Sequence, residues 1–137
     1  MSYDKGLVQE QLSQIREAID CVTQWNQGVS ASAHYTDSPD GMKTLAATCM
    51  MLEAIGEGIG KIDKRTNGTL LNAICPDIPW RDVVGIRNHI AHGYFDIDAE
   101  LIFDIVSNDL APLRQAIISL EDHIARPASE QESRTAR

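Results

Sequence analysis

An all-α bundle of four main helices is the fold this sequence predicts, and three observations lead there. Apolar residues recur at steps of three and four along most of the chain. Aromatic residues make up only 5% of the 137 residues, and β-branched residues do not cluster, which disfavours a sheet. Proline and glycine punctuation divides the chain into blocks of helical length. A chain this long can bury about two thirds of its unfolded surface as one domain, so its core does not depend on disulfides or metals.

The first helix spans about residues 4–26. Val8, Leu12, Ile15, Ile19 and Val22 form one stripe, with Ser2 or Asp4 as N-cap and Gln27-Gly28 as stop. Residues 28–38 are small and polar and read as a loop, including His34 and Tyr35. The second helix starts near Pro39 and stops at Asn67-Gly68. Leu45, Cys49, Leu52, Ile55, Ile59 and Ile62 are its buried face. Lys61, Lys64 and Arg65 sit in its last turns, where cations suit the dipole. Gly56, Gly58 and Gly60 lack the full phosphate-loop pattern, and the Gly56/Gly60 face reads as a place of close helix approach.

A short apolar piece, Thr69–Ile74, follows and is broken by Cys75-Pro76, and a short extra helix is expected beside the four main ones. The third main helix opens at Ile78-Pro79-Trp80, with Pro79 suited to its first position, and runs out at His92-Gly93. The fourth begins behind Asp98 as cap and buries Ile102, Val106, Leu110, Leu113, Ile117, Leu120 and Ile124. Pro112 within it removes one backbone hydrogen bond and predicts a kink near Asn108. The domain is thus expected over residues 1–125, with a disordered polar tail at 126–137. Two stripes of near-3.5 spacing suggest an apolar seam and hence a homodimer.

Composition narrows the function. Net charge is −8 and the sequence pI about 4.8, which argues against coating nucleic acid by bulk charge and against a polybasic membrane surface. No signal-peptide pattern opens the chain, and no stretch reaches the length of a membrane span. Cys21, Cys49 and Cys75 are odd in number and widely spaced, as reduced cysteines of a cytoplasmic protein would be. Yet the charge is uneven. Residues 1–79 carry −4 and residues 95–137 carry −5, whereas residues 80–94 carry +1.

That cationic interval also holds the densest reactive cluster: Arg87, Asn88, His89, His92 and Tyr94. Histidine titrates near neutrality and moves protons either way, and arginine presents a fork that fits phosphate oxygens. Metal-free RNA cleavage needs both groups. Arg87 and His92 lie about 140° apart on an ideal helix, so they converge only if the helix ends first or a second copy supplies the counterpart. Glu57 is a candidate to orient Arg87 or a histidine. The same cluster can instead cap a helix end, and His89 and His92 with Asp96 or Asp98 leave a metal-binding alternative open.

The run Arg87-(four residues)-His92-Gly93-Tyr94 resembles the R-x4-H-x-Y motif of the HepT-like toxins, a branch of the HEPN superfamily. Ala54-Ile55-Gly56-Glu57, Pro76 to Arg81 and Asp109 to Leu113 agree with it, and the likeness covers about residues 5–125. The resemblance implies an up-and-down HEPN-type bundle that dimerises and acts as a metal-independent endoribonuclease toxin. Arg87 and His92 would be catalytic, Asn88 would assist, and Glu57 and His89 could support them. Products would carry 2′,3′-cyclic phosphate and 5′-hydroxyl ends. The implied partner is a minimal nucleotidyltransferase antitoxin that spends ATP to AMPylate Tyr94. The toxin itself would need no cofactor. A non-catalytic subunit that serves a nucleotidyltransferase is the alternative.

Overall fold

The computed structural model describes residues 3–90 and 96–127. Helices account for about three quarters of the described residues, and no strand occurs among them. We number them α1 (Lys5–Trp25), α2 (Ala33–Thr36), α3 (Pro39–Arg65), α4 (Leu70–Ile74), α5 (Trp80–Val84), α6 (Arg87–Ile90), α7 (Ala99–Asp104) and α8 (Leu110–Ala125). A π-helical turn, Ile105–Asp109, joins α7 to α8. No described helix is long and apolar enough to cross a membrane. Most of the tail expected from residue 126 lies outside the described residues.

The long helices start and stop where their sequences dictate. Asp4 accepts the Leu7 N–H at 3.0 Å, and Asp98 accepts that of Leu101 at 3.0 Å. Ser38 caps α3 through the Gly41 N–H, with Pro39 at the first turn. Asn67 and Gly68 take positive φ (56° and 70°). The Gly68 N–H then reaches the Asp63 carbonyl and that of Asn67 the Lys64 carbonyl, which closes α3 with a Schellman motif.

The three main stripes meet in one core. Val8 to Val22 of α1, Leu45 to Ile62 of α3 and Leu110 to Ile124 of α8 are all buried within a single chain. The near-3.5 spacing is therefore used for packing inside the protomer. At the surface, Arg16 pairs with Glu121 (2.8 Å) and Arg114 with Asp20 (2.6 Å), each tying α1 to α8. The Arg114 hydrogen bond lowers the Asp20 pKa.

Three elements differ from the sequence reading. Residues 28–38 are not simply a polar loop: they include α2, and Tyr35 there is fully buried. Its hydroxyl donates to Asn26 Oδ1 (2.5 Å), and Asn26 Nδ2 donates to Val22 O (2.8 Å) and Thr48 Oγ1 (2.9 Å). This network satisfies the buried polar atoms where α1, α2 and α3 meet. A Cβ at Gly41 would lie 2.1 Å from the His34 carbonyl oxygen, so α2 can rest on α3 only at a glycine.

The expected third helix is two short ones. Pro79 precedes the first turn rather than occupying it. After Val84 the chain turns at Gly85-Ile86, and the bonds Ile86→Val83, Asn88→Gly85 and His89→Ile86 tighten to a three-residue step. Docking of this corner on α3 outweighs helical continuity. A Cβ on Gly56 would meet the Val83 carbonyl oxygen at 2.8 Å and Ile86 Cγ2 at 3.0 Å. Gly60 touches Val84 Cγ1 at 3.4 Å, whereas Gly58 faces Ile15 of α1. The predicted close approach at Gly56/Gly60 is thus present, with the α5–α6 corner as its partner.

In the fourth block the disturbance falls where Pro112 requires it, but as a π turn. Pro112 has no N–H for the Asn108 carbonyl. Two residues earlier the Leu110 N–H already reaches five residues back, to Ile105 O.

Gly56→Ala should destabilise the protein by about 1–3 kcal/mol, the usual cost of overpacking a fitted interface. Gly60→Ala should be neutral or stabilising, because the contact there is ordinary and alanine favours helix by about 1 kcal/mol. Urea denaturation of the two variants checks the contrast. Burial, and then the Glu53 charge, push the Cys49 thiol from 9.0 up to about 11. The folded state therefore holds this proton longer than the unfolded chain, and stability should fall as pH rises between those values. Denaturation across that range should show a shallower fall in Cys49→Ala.

Candidate functional site

The site is built on α6, which is held from beneath. Ile90 is buried in the core, and α6 packs on α3. With Ile90 turned inward, Arg87, Asn88 and His89 are all exposed. The N–H of Asp98 donates to the Ile90 carbonyl at 3.2 Å, so the chain entering α7 is fastened to the end of α6. Upstream, Trp80 is buried and its indole Nε1 donates to the Cys75 carbonyl at 2.8 Å. Ile90 and Trp80 thus fix the two ends of the segment that carries the basic residues.

Arg87 is uncommitted. Arg16 and Arg114 are neutralised by carboxylates of a neighbouring helix, whereas Arg87 has no ion pair among the described residues. An exposed guanidinium on a short, anchored helix is free to take an external anion. Arg81, one corner earlier, is likewise exposed.

A groove of about 480 Å³ opens beside α6. Leu52 and Ile55 of α3 line it, with Ile86 from the α5–α6 corner and Ile105 and Leu113 from the π turn and α8. His89 lines it too, as do the carboxylates Asp77, Asp82 and Asp109. The sequence reading did not single out these three acids. They come from separate elements, and no spacing rule links them. The π turn that carries Asp109 was signalled by Pro112, although its place in a groove was not.

Other candidates fall elsewhere. Glu57 is exposed and opens onto a second groove between α1 and α3, with Gln14 and Lys61. No hydrogen bond or ion pair joins it to Arg87 or His89 among the described residues. His92 and Tyr94 lie outside the described residues, as does the relation of His92 to Arg87. No group of three or more metal-ligating side chains occurs among the described residues. Cys21, Cys49 and Cys75 form no disulfide, and the Cys75 thiol donates to the Ala116 carbonyl.

A family model described as "Ribonuclease HepT-like" matches residues 8–120. The chain belongs to the HepT-like ribonuclease family. Its relatives include a protein named "Probable ribonuclease HepT" in Thermococcus cleftensis, 27% identical over 103 residues, which are 75% of this chain and 86% of that protein. Another, named "Putative RNase MJ0127" in Methanocaldococcus jannaschii, is 31% identical over 83 residues, 58% of this chain and 64% of the relative. No solved structure matches the chain significantly. For this HepT-like chain, the matched span includes α1 through most of α8 and hence the whole interval from Arg87 to Tyr94.

Two variants separate the roles on α6. Arg87→Ala should keep stability within about 0.5 kcal/mol of the parent, as expected of an exposed, unpaired side chain. Ile90→Ala should cost about 2–5 kcal/mol by emptying its place in the core. Thermal and urea unfolding measure both.

Proposed function

We propose that this HepT-like protein is a metal-independent endoribonuclease and the toxin of a toxin–antitoxin pair. One observation carries the reading: Arg87 is exposed and has no carboxylate partner among the described residues, at the matching position of an R-x4-H-x-Y motif in a chain of a ribonuclease family.

The chemistry assigns each residue a task. A base, His92, removes the proton from the ribose 2′-hydroxyl. The 2′-oxygen then attacks the adjacent phosphorus, and the P–O5′ bond breaks. Arg87 offsets the charge on the phosphate oxygens as the five-coordinate phosphorus forms. Asn88 assists by hydrogen bonding, and His89 is a second titratable group at the edge of the site. A protonated histidine returns a proton to the leaving 5′-oxygen. The ends are a 2′,3′-cyclic phosphate and a 5′-hydroxyl, and DNA is spared because it has no 2′-hydroxyl. In a homodimer the two copies of His92 could divide the acid and base roles. The protein needs no cofactor of its own in this scheme.

Control falls to Tyr94. A nucleotidyltransferase partner transfers AMP from ATP to its hydroxyl and releases pyrophosphate. The added phosphate brings negative charge to the motif and repels the RNA backbone.

Purified protein should cleave RNA in the presence of EDTA, with cyclic-phosphate ends. Arg87→Ala and His92→Ala should each lower the rate by at least about 100-fold, the usual scale for a general acid–base or charge-stabilising group. Full cleavage by His92→Ala would overturn the assignment. Intact mass after co-expression with the neighbouring nucleotidyltransferase should rise by whole adenylyl units, and Tyr94→Phe should abolish the rise.

A further inference from the structure

The groove beside α6 has a composition that phosphate recognition does not explain. Its walls are aliphatic, and its polar side chains other than His89 are three carboxylates, Asp77, Asp82 and Asp109. None of these acids has an ion pair or a side-chain hydrogen bond among the described residues. They would repel a phosphate. Arg87, two residues from His89, is the group suited to that. The groove therefore fits an uncharged part of the same substrate, one that is rich in N–H donors.

We infer that the groove is a nucleobase subsite that prefers guanine. The inference rests on the ribonuclease reading above. Its volume, about 480 Å³, lies within the usual range for small-molecule sites, roughly 300–1,000 Å³. Aliphatic side chains such as Ile86 and Ile105 supply apolar surface for the faces of a planar ring. The edge of the ring must then meet carboxylates, which only accept hydrogen bonds when ionised. Guanine is the one standard base whose pairing edge offers two adjacent donors, N1–H and the 2-amino group. Those two donors match the two oxygens of one carboxylate. Adenine and cytosine present a single amino group beside an acceptor, and uracil a single N–H between two acceptors. Each of these sets a lone pair against the carboxylate. Single-stranded RNA is read in this way, with unstacked bases held by their faces and hydrogen bonded along their edges.

Asp82 and Asp109 reach the groove from different elements. Asp82 belongs to α5, before the Gly85 corner, and Asp109 ends the π turn. The π turn thus has a use beyond accommodating Pro112, since it places Asp109 in the groove lining.

Two measurements test the subsite, one of them independent of catalysis. Guanosine is titrated into the protein with isoleucine methyl groups labelled for NMR. The shifts of Ile78, Ile86 and Ile105 should move with guanosine and much less with adenosine, uridine or 1-methylguanosine. The double variant Asp82→Asn/Asp109→Asn should weaken guanosine binding roughly tenfold, the scale of losing one bidentate base contact. Single-stranded RNAs that differ only in one base at the cleaved step are then compared. The ratio of kcat/KM for guanine over the other bases should fall by a similar factor in the double variant. Equal shifts with all four nucleosides, no shifts at these methyls, or equal cleavage at all four bases would overturn the subsite. Shifts from a protein partner without any from guanosine would overturn it too. Selective guanosine binding without cleavage of any RNA would uphold the subsite and count against the ribonuclease reading alone.

Discussion

The missing side chain at Gly56 is the constraint on which the rest of the arrangement depends. Val83 presents its carbonyl oxygen within 2.8 Å of where a Cβ would stand, so the α5–α6 corner sits directly on the α3 backbone. That contact sets the direction of α6. With α6 seated, Ile90 enters the core and the side chains of Arg87 to His89 face outward. A helix interior normally disfavours glycine by about 1 kcal/mol, and here the cost is offset by packing that no larger residue permits. A structural glycine thus underlies an arginine's availability.

The same logic recurs at both ends of α3. Gly41 admits the α2 backbone near the start, and Asn67 and Gly68 close the end in the left-handed region. Between them Leu45 to Ile62 supply the central wall of the core. Helix α3 thus receives α1 on one side and the α5–α6 corner on another. The two grooves lie along these seams, with His89 in the lining of the one beside α6 and Lys61 in that of the other.

Charge is partitioned in a matching way. Arg16 and Arg114 are absorbed by Glu121 and Asp20 in fastening α1 to α8, so they contribute little to any external field. Arg87 is left exposed in an otherwise acidic chain. Such a protein attracts RNA weakly in general and depends on a local site for recognition. The acidity that excluded bulk nucleic-acid binding is thereby compatible with a nuclease that selects a presented segment.

Much of this was legible in the residues alone. Periodicity gave the stripes of α1, α3 and α8, because a buried face repeats with the helical period whatever it packs against. Caps at Asp4 and Asp98 and the stop at Asn67-Gly68 were legible because they are local hydrogen-bonding events. The interval around Arg87 stood out through its chemistry. The break at Gly85-Ile86 was not legible, since it arises from docking on Gly56, which is 29 residues away in the chain. The burial of Tyr35 depended on Asn26 and Thr48, residues of two other helices. The groove with its three acids depended on the joint placement of α3, α5, α6 and the π turn. Sequence alone determined which segments are helical and which side chains could carry chemistry, because both are set over a few neighbouring residues. Tertiary structure decided where one helix yields to another's backbone, which polar groups share a groove and which arginines are tied to carboxylates of another helix, because those follow from contacts between segments distant in the chain.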